Sequence, residues 1–225
     1  MPSVAQIAED LFLLLLDNAS AQPGLDKSRR ERVLSAAVLL DLALLCRVRP
    51  TMNGEAVAPG RLVALAGPLP LDPVMDPAFE LLARRPLTPS AAVSKLRRGI
   101  QDVIAEHLER TGQIRRIRVE GRRFHHQPYA WPVVNRDRVT QARAALLAAL
   151  FDRHPPTPPT AAIVSLLHAV DGLGALLSLN DRGWRWVHMR AAEIASGSWI
   201  DEYEKPVLPE MNLAVTASAM RAALT

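Results

Sequence analysis

The chain has 225 residues, 49% hydrophobic and 22% charged, with a formal net charge of +4. It is therefore long and apolar enough to bury a sizeable core, and far from a disordered or fibrous composition. One cysteine, Cys46, excludes an internal disulfide and a Cys-based zinc cluster. Aromatics make up only 4%, so a core of Ala and Leu is expected, and such side chains favour helix. Heavy use of Ala, Arg and Pro points to a GC-rich bacterial genome.

Taken in chain order, Ser3 reads as an N-cap, with Val4, Ile7, Leu11, Leu14 and Leu15 at helical spacing behind it. No positive stretch precedes the apolar run, as a secretory signal would require. A loop over 18–24 leads to a second helix over 27–47, basic at its start and apolar afterwards. Its longest apolar stretch contains Asp41 and falls short of the roughly 18–20 residues of a membrane span. Cys46 in LALLC reads as a small buried core residue. Gly54, Pro59 and Gly60 then punctuate a small β-meander over 47–66. Pro68, Pro70 and Pro73 lead into a short helix over 77–84.

Thr88-Pro89 starts a helix with Val93, Leu96, Ile100, Ile104 and Leu108 inward, ended by Gly112. The segment IRRIRVEGRRFHH follows, and Glu120-Gly121 as its turn makes a basic β-hairpin over 113–126. Asn135 caps a further helix, HPPTPPT is a stiff linker at 154–160, and helices follow over 161–170, 181–196 and 211–224. The expected fold is mainly α: one domain over 1–225, a multi-helix bundle with a β-meander and a basic hairpin.

Catalytic and cofactor signatures are absent, including G-x-S-x-G, the P-loop and H-E-x-x-H. His125-His126 on a strand point to opposite faces and do not chelate. His168 and His188 read as hydrogen-bonded core histidines. No metal site, no cofactor and no catalytic residue is expected, and the chain does not read as an enzyme.

The charge is concentrated. Residues 84–123 hold eleven Lys or Arg against four acids, a net +7 that leaves −3 for the rest. Arg115, Arg116, Arg118, Arg122 and Arg123 fall within nine residues that hold a single acid, Glu120. Arginine suits bidentate phosphate contact, so these residues, with Arg97 and Arg98, point to an anionic partner. An i, i+4 pair with Asp102 is the plainer role for Arg98. Phe124, Tyr129 and Trp131 fit either a lipid interface or packing beneath the hairpin. Three readings stay open: an anionic phospholipid or membrane surface, a nucleic acid met by helix and hairpin, or a protein scaffold whose hairpin meets a sister subunit.

The segments DLFLLLLD, LDLALLCRVR, LRRGIQDVIAEHLERTGQI and AAIVSLLHAVDGLGALLS, in that order, resemble the Golgi phosphoprotein 3 family over nearly the whole chain. That resemblance implies a mostly helical, peripherally membrane-bound adaptor for client proteins, cytoplasmic or on the inner face of the plasma membrane. Eukaryotic relatives bind phosphatidylinositol 4-phosphate through a tryptophan and several arginines, and use an apolar hairpin for insertion and self-association. By that likeness one pocket arginine falls on Arg98. The other pocket positions fall on Gln101, Ser35 and near Asp26, with Arg29, Arg30 and Arg32 close by. The basic hairpin departs from the family's apolar one, which leaves an anionic headgroup as the expected ligand and the hairpin as a route to a homo-oligomer.

Overall fold

The computed structural model describes residues 6–68, 71–119, 129–197, 199 and 207–224. Nine α-helices fall among them: α1 Gln6–Leu15, α2 Lys27–Leu44, α3 Asp76–Arg84, α4 Pro89–Leu96, α5 Ile100–Arg110, α6 Arg136–Phe151, α7 Pro158–Ala169, α8 Asp181–Ala195 and α9 Leu208–Leu224. Two small antiparallel pairs complete them, β1 Val48–Pro50 with β2 Leu62–Ala64 and β3 Ile117–Arg118 with β4 Tyr129–Ala130. The expected mainly α fold is what the chain adopts.

α2 is the axis. From Val33 to Ala43 every residue is buried, on all faces, including Ser35 and Asp41. A helix apolar all round has no solvent face and must be ringed by others. α1, α4, α5, α7 and α9 pack around it. α1 is nearly as buried, and its first-turn N–H groups need an acceptor that water cannot supply. Asp41 provides it from inside α2: its Oδ1 accepts from the Ile7 amide at 2.8 Å and Oδ2 from Ala8 at 2.9 Å. The charge that interrupts the apolar run of α2 is thus a cap for another helix. Complete burial pushes the Asp41 carboxyl well above the usual carboxylate range, against the pull of those two amides. Glu9 and Asp10 follow on α1, and Arg138 of α6 binds both. Burial still moves each of these two carboxyls upward.

α2 stops at Leu44, three residues short of the sequence expectation. Cys46 takes a left-handed φ of 53° while its amide donates to Ala43 and that of Arg47 to Leu42, a Schellman termination built without glycine. Cys46 is accordingly only partly buried rather than a core residue. Asn212 of α9 closes the joint by donating to Ala43 O at 2.7 Å and Val48 O at 2.8 Å. The linker at 154–160 is also shorter than expected. Thr157 caps α7 and Pro158-Pro159 form its first turn, where missing N–H groups carry no penalty.

The helix expected to run unbroken from Thr88 to Gly112 is instead two. α4 ends at Leu96, and Gly99, at φ 88°, turns the chain into α5. The hairpin is wider than expected. Ile117 faces Ala130 and Arg118 faces Tyr129, with a further bridge from Ile114 to Val133. The returning strand is therefore Tyr129–Ala130, beyond 126, and Glu120-Gly121 lies outside the described residues. Ser3, Val4 and His125-His126 lie outside them too.

His168 and His188 are neighbours with ring centroids 5.8 Å apart. His168 Nδ1 is buried without a hydrogen bond, so the expected hydrogen-bonded core histidine is absent. Burial, then His188 and Arg221, hold the His168 ring below its ordinary 6.5, with Asp171 opposing.

Two outcomes follow from this packing. Asp41→Ala leaves two buried amides without acceptors, at about 1–3 kcal/mol each; urea unfolding should show a loss of about 2–5 kcal/mol, and an unchanged midpoint would remove the capping role. For His168, the unfolded chain takes up a proton near pH 6.5 that the folded chain refuses, so stability falls as pH drops from about 6.5 through the lowered folded value. His168→Gln should flatten the decline in melting temperature between pH 7 and 5; an identical slope would contradict it.

Candidate functional site

The turn at Gly99 matters because of what surrounds it. A cavity of about 780 Å³ is lined by Lys27, Ser28 and Glu31 of α2, by Arg97, Arg98 and Gly99 of the turn, by Gln101 and Asp102 of α5, and by Tyr129 and Trp131. α5 begins without a side-chain cap, so its first N–H groups carry the partial positive charge of an open helix terminus. α2 also begins here, capped by Asp26, which accepts from the Arg29 amide at 3.0 Å. Two helix starts and three cations therefore share one hollow, against Glu31 and Asp102. Glu31 lies 3.7 Å from Lys27. Arg97 and Arg98 make no ion pair among the described residues, and the i, i+4 pair of Arg98 with Asp102 is not formed, since the helix is broken between them.

Behind the lining residue Gln101 lies Arg30, 2% exposed and not itself part of the cavity wall. Its Nε donates to Gln101 Oε1 at 2.7 Å and its Nη1 to Leu25 O at 2.7 Å, while Nη2 is buried without a partner. Burial lowers its pKa. Trp131 is similar: 3% exposed, edge-on to Phe12 at 6.0 Å, with its indole Nε1 buried and unpartnered. Two donors are thus taken from water with no acceptor, an arrangement that costs about 1–3 kcal/mol each unless something accepts from them.

Trp131 is placed by distant sequence. Its amide donates at 2.7 Å to Ala21 O, in a loop held by Asp17, whose Oδ1 accepts from the Ala19 and Ser20 amides. The hairpin ladder then carries Tyr129 to the rim, where the Arg116 guanidinium lies 5.2 Å from its ring centre.

The structure sorts the sequence candidates unevenly. Arg97 and Arg98 line the cavity, Arg30 stays outside the lining but holds Gln101, which is part of it, and Arg116 touches its rim through Tyr129. Arg115 and Arg118 are exposed on the hairpin outside the cavity lining. Arg122, Arg123 and Phe124 lie outside the described residues. Arg29 serves the scaffold instead, pairing with Asp26 at 2.5 Å and donating to Val170 O and Asp171 O, which ties α2 to the end of α7. Arg32 binds Leu224 O of α9. Ser35 is buried against Glu31 O at 2.8 Å. Sequence reasoning missed Lys27 and left the role of Trp131 open. An aromatic in a nearly aromatic-free chain was the available signal.

Elsewhere, Glu9, Asp72 and His107 form the group of potential metal ligands among the described residues, their donor atoms within 4.8 Å of one another. No described helix is long and apolar enough to cross a membrane.

Helical layering and an open cation-walled cavity define a mainly α-helical protein that presents a polar pocket beside a basic hairpin. The chain belongs to the Golgi phosphoprotein 3 family, whose family model matches residues 7–211. No curated protein matches it.

The cavity's shape depends on the left-handed turn at Gly99. A Cβ there would meet no atom within 4 Å, so the cost of Gly99→Ala is purely conformational, about 1–2 kcal/mol. Chemical denaturation should show that loss. A neutral substitution would mean that the turn relaxes to an ordinary φ.

Proposed function

We propose that this protein is a peripheral binding module for anionic phospholipid headgroups, with the cavity as the phosphate pocket and the hairpin as the surface contact. The observation that carries the reading is the wall of Arg97, Arg98 and Lys27 around a cavity at the uncapped start of α5, the two arginines making no ion pair among the described residues. A phosphate group carries several acceptor oxygens and suits such a site, and an uncapped helix start adds to it. Gln101, which occupies the place of a second arginine by the family likeness, accepts from Arg30.

The hairpin supports the same reading. Ile117, Val119 and Tyr129 are large, apolar and exposed, interleaved with exposed Arg115 and Arg118. Such a ribbon rests its apolar side chains at the lipid interface and its guanidiniums among phosphates. The family is one of binding and adaptor proteins, and a protein client held at the membrane is consistent with that role.

Cosedimentation with vesicles tests it. Vesicles of phosphatidylcholine alone should leave the protein in solution, and vesicles with added phosphatidylglycerol should carry it down at about 0.1 M salt, where exposed charges still act over roughly 10 Å. A surface cation contributes about 1 kcal/mol, so Arg97→Ala with Arg98→Ala should weaken binding by roughly 20-fold or more. Equal binding to neutral vesicles, or a double variant that binds like the parent, would sink the reading. Retardation of duplex DNA with no vesicle binding would move the assignment to nucleic acid.

A further inference from the structure

We infer that Glu9, Asp72 and His107 form a site for a divalent cation of the zinc class, bridging α1, the loop before α3 and α5. The three residues stand 98 positions apart in sequence at the extremes, and only the fold brings them together. They fit that ligand set: Zn²⁺ takes imidazole nitrogen and carboxylate oxygen at about 2.0–2.1 Å, commonly from three protein ligands with water in the fourth place.

Glu9 Oε1 gives the strongest indication. It is buried, on a residue 1% exposed, with no hydrogen-bond partner, while the other oxygen of the same carboxylate is bound by Arg138. A buried carboxylate oxygen without a hydrogen bond is a position that a cation would satisfy. The nearest group facing it is His107 Nε2 at 3.4 Å, too poorly aligned for a hydrogen bond. That separation is close to the edge of a tetrahedron with zinc-length arms, about 3.3 Å. Asp72 Oδ1 reaches the same ring from its other side, 3.7 Å from Nδ1, and is held by the Val74 amide at 2.9 Å.

Local charge points the same way. Glu9, Asp10, Asp41 and Asp72 are each less than a tenth exposed. The one largely buried guanidinium at this cluster among the described residues, Arg138, is shared between Glu9 and Asp10. The remaining positive contact comes from outside: exposed Arg110 donates to His107 Nδ1 at 2.9 Å. That contact must break when a metal binds. If Nδ1 ligates, its lone pair is no longer available to Arg110; if Nε2 ligates, Nδ1 carries the ring proton and repels a donor. In either case the imidazole enters as the neutral ligand, and any proton displaced from the ligating nitrogen leaves to the other ring nitrogen or to solvent. Arg110 is thus a competitor for the metal, and His107, the most accessible member of the group, is its route of entry.

The test uses the full chain stripped with chelator and titrated with Zn²⁺ by calorimetry, with bound metal counted after dialysis. One equivalent of Zn²⁺ should bind and raise the melting temperature by several degrees, since a ligand that binds only the folded chain stabilises it. Mg²⁺ should do neither. Glu9→Gln and His107→Gln should each weaken Zn²⁺ binding by about 10-fold or more, the scale on which altered ligand shells act, and Arg110→Ala should tighten it about threefold or more. Should the buried substitutions fail to fold, Arg110→Ala still decides, because that side chain is exposed. Absence of stoichiometric Zn²⁺ in both the parent and Arg110→Ala overturns the assignment. So does Zn²⁺ binding unchanged by His107→Gln, which would place the ion elsewhere, such as at His168 and His188.

Discussion

The buried carboxylate of Asp41 is the constraint on which this fold turns. Two helices, α1 and α2, are apolar on nearly every face, and a helix so placed gains hydrophobic stabilisation but loses water for its ends. Asp41 resolves the conflict by giving both oxygens to the amides of Ile7 and Ala8. Those bonds fix where α1 begins against α2, and so fix its register. Glu9 and Asp10 are then carried to the place where Arg138 meets them, which draws in α6. The other face of α1 leaves Phe12 against Trp131, so the same register sets the depth of the candidate site.

At that site a left-handed glycine turn, two arginine charges unpaired among the described residues and an uncapped helix start coincide. A continuous helix from Thr88 to Thr111 would place Arg97 and Arg98 along a solvated flank. Breaking it at Gly99 turns them towards the start of α2 and exposes a fresh helix start between them. The break also disposes of the bland role for Arg98, because Asp102 no longer sits one turn further along the same helix. Arg30 and Trp131 supply donors without acceptors.

Much of the fold was legible in the sequence, for identifiable reasons. Caps at Thr88 and Asn135 and the apolar runs of α2 and α7 are local signals, and each marks an element that forms. The meander at 48–64 was announced by its turn residues. What failed was local chemistry overridden at a distance. Gly99 inside an apolar 3.6-residue rhythm looks like a tolerated glycine, and only tertiary packing makes it a turn. The returning strand lies beyond the expected 126, because the register pairs Arg118 with Tyr129. In sequence Asp41 only interrupts an apolar stretch, because its partners lie more than thirty residues away. The arginines were visible as a group, but nothing local separated Arg29, which braces α7, from Arg30, which holds Gln101. Trp131 enters the site through a backbone bond to Ala21, which no spacing rule reveals.

The central claim is that an anionic headgroup occupies the cavity lined by Arg97, Arg98 and Trp131. The indole N–H resonance of Trp131 reports on it, since Trp131 lines the cavity and that proton has no hydrogen-bond partner among the described residues. Titration with a short-chain anionic phospholipid should shift that resonance saturably and leave those of Trp184 and Trp186, on α8, in place. A Trp131 resonance that stays fixed while the protein binds anionic vesicles would contradict the account, and would leave the hairpin alone to carry the interaction.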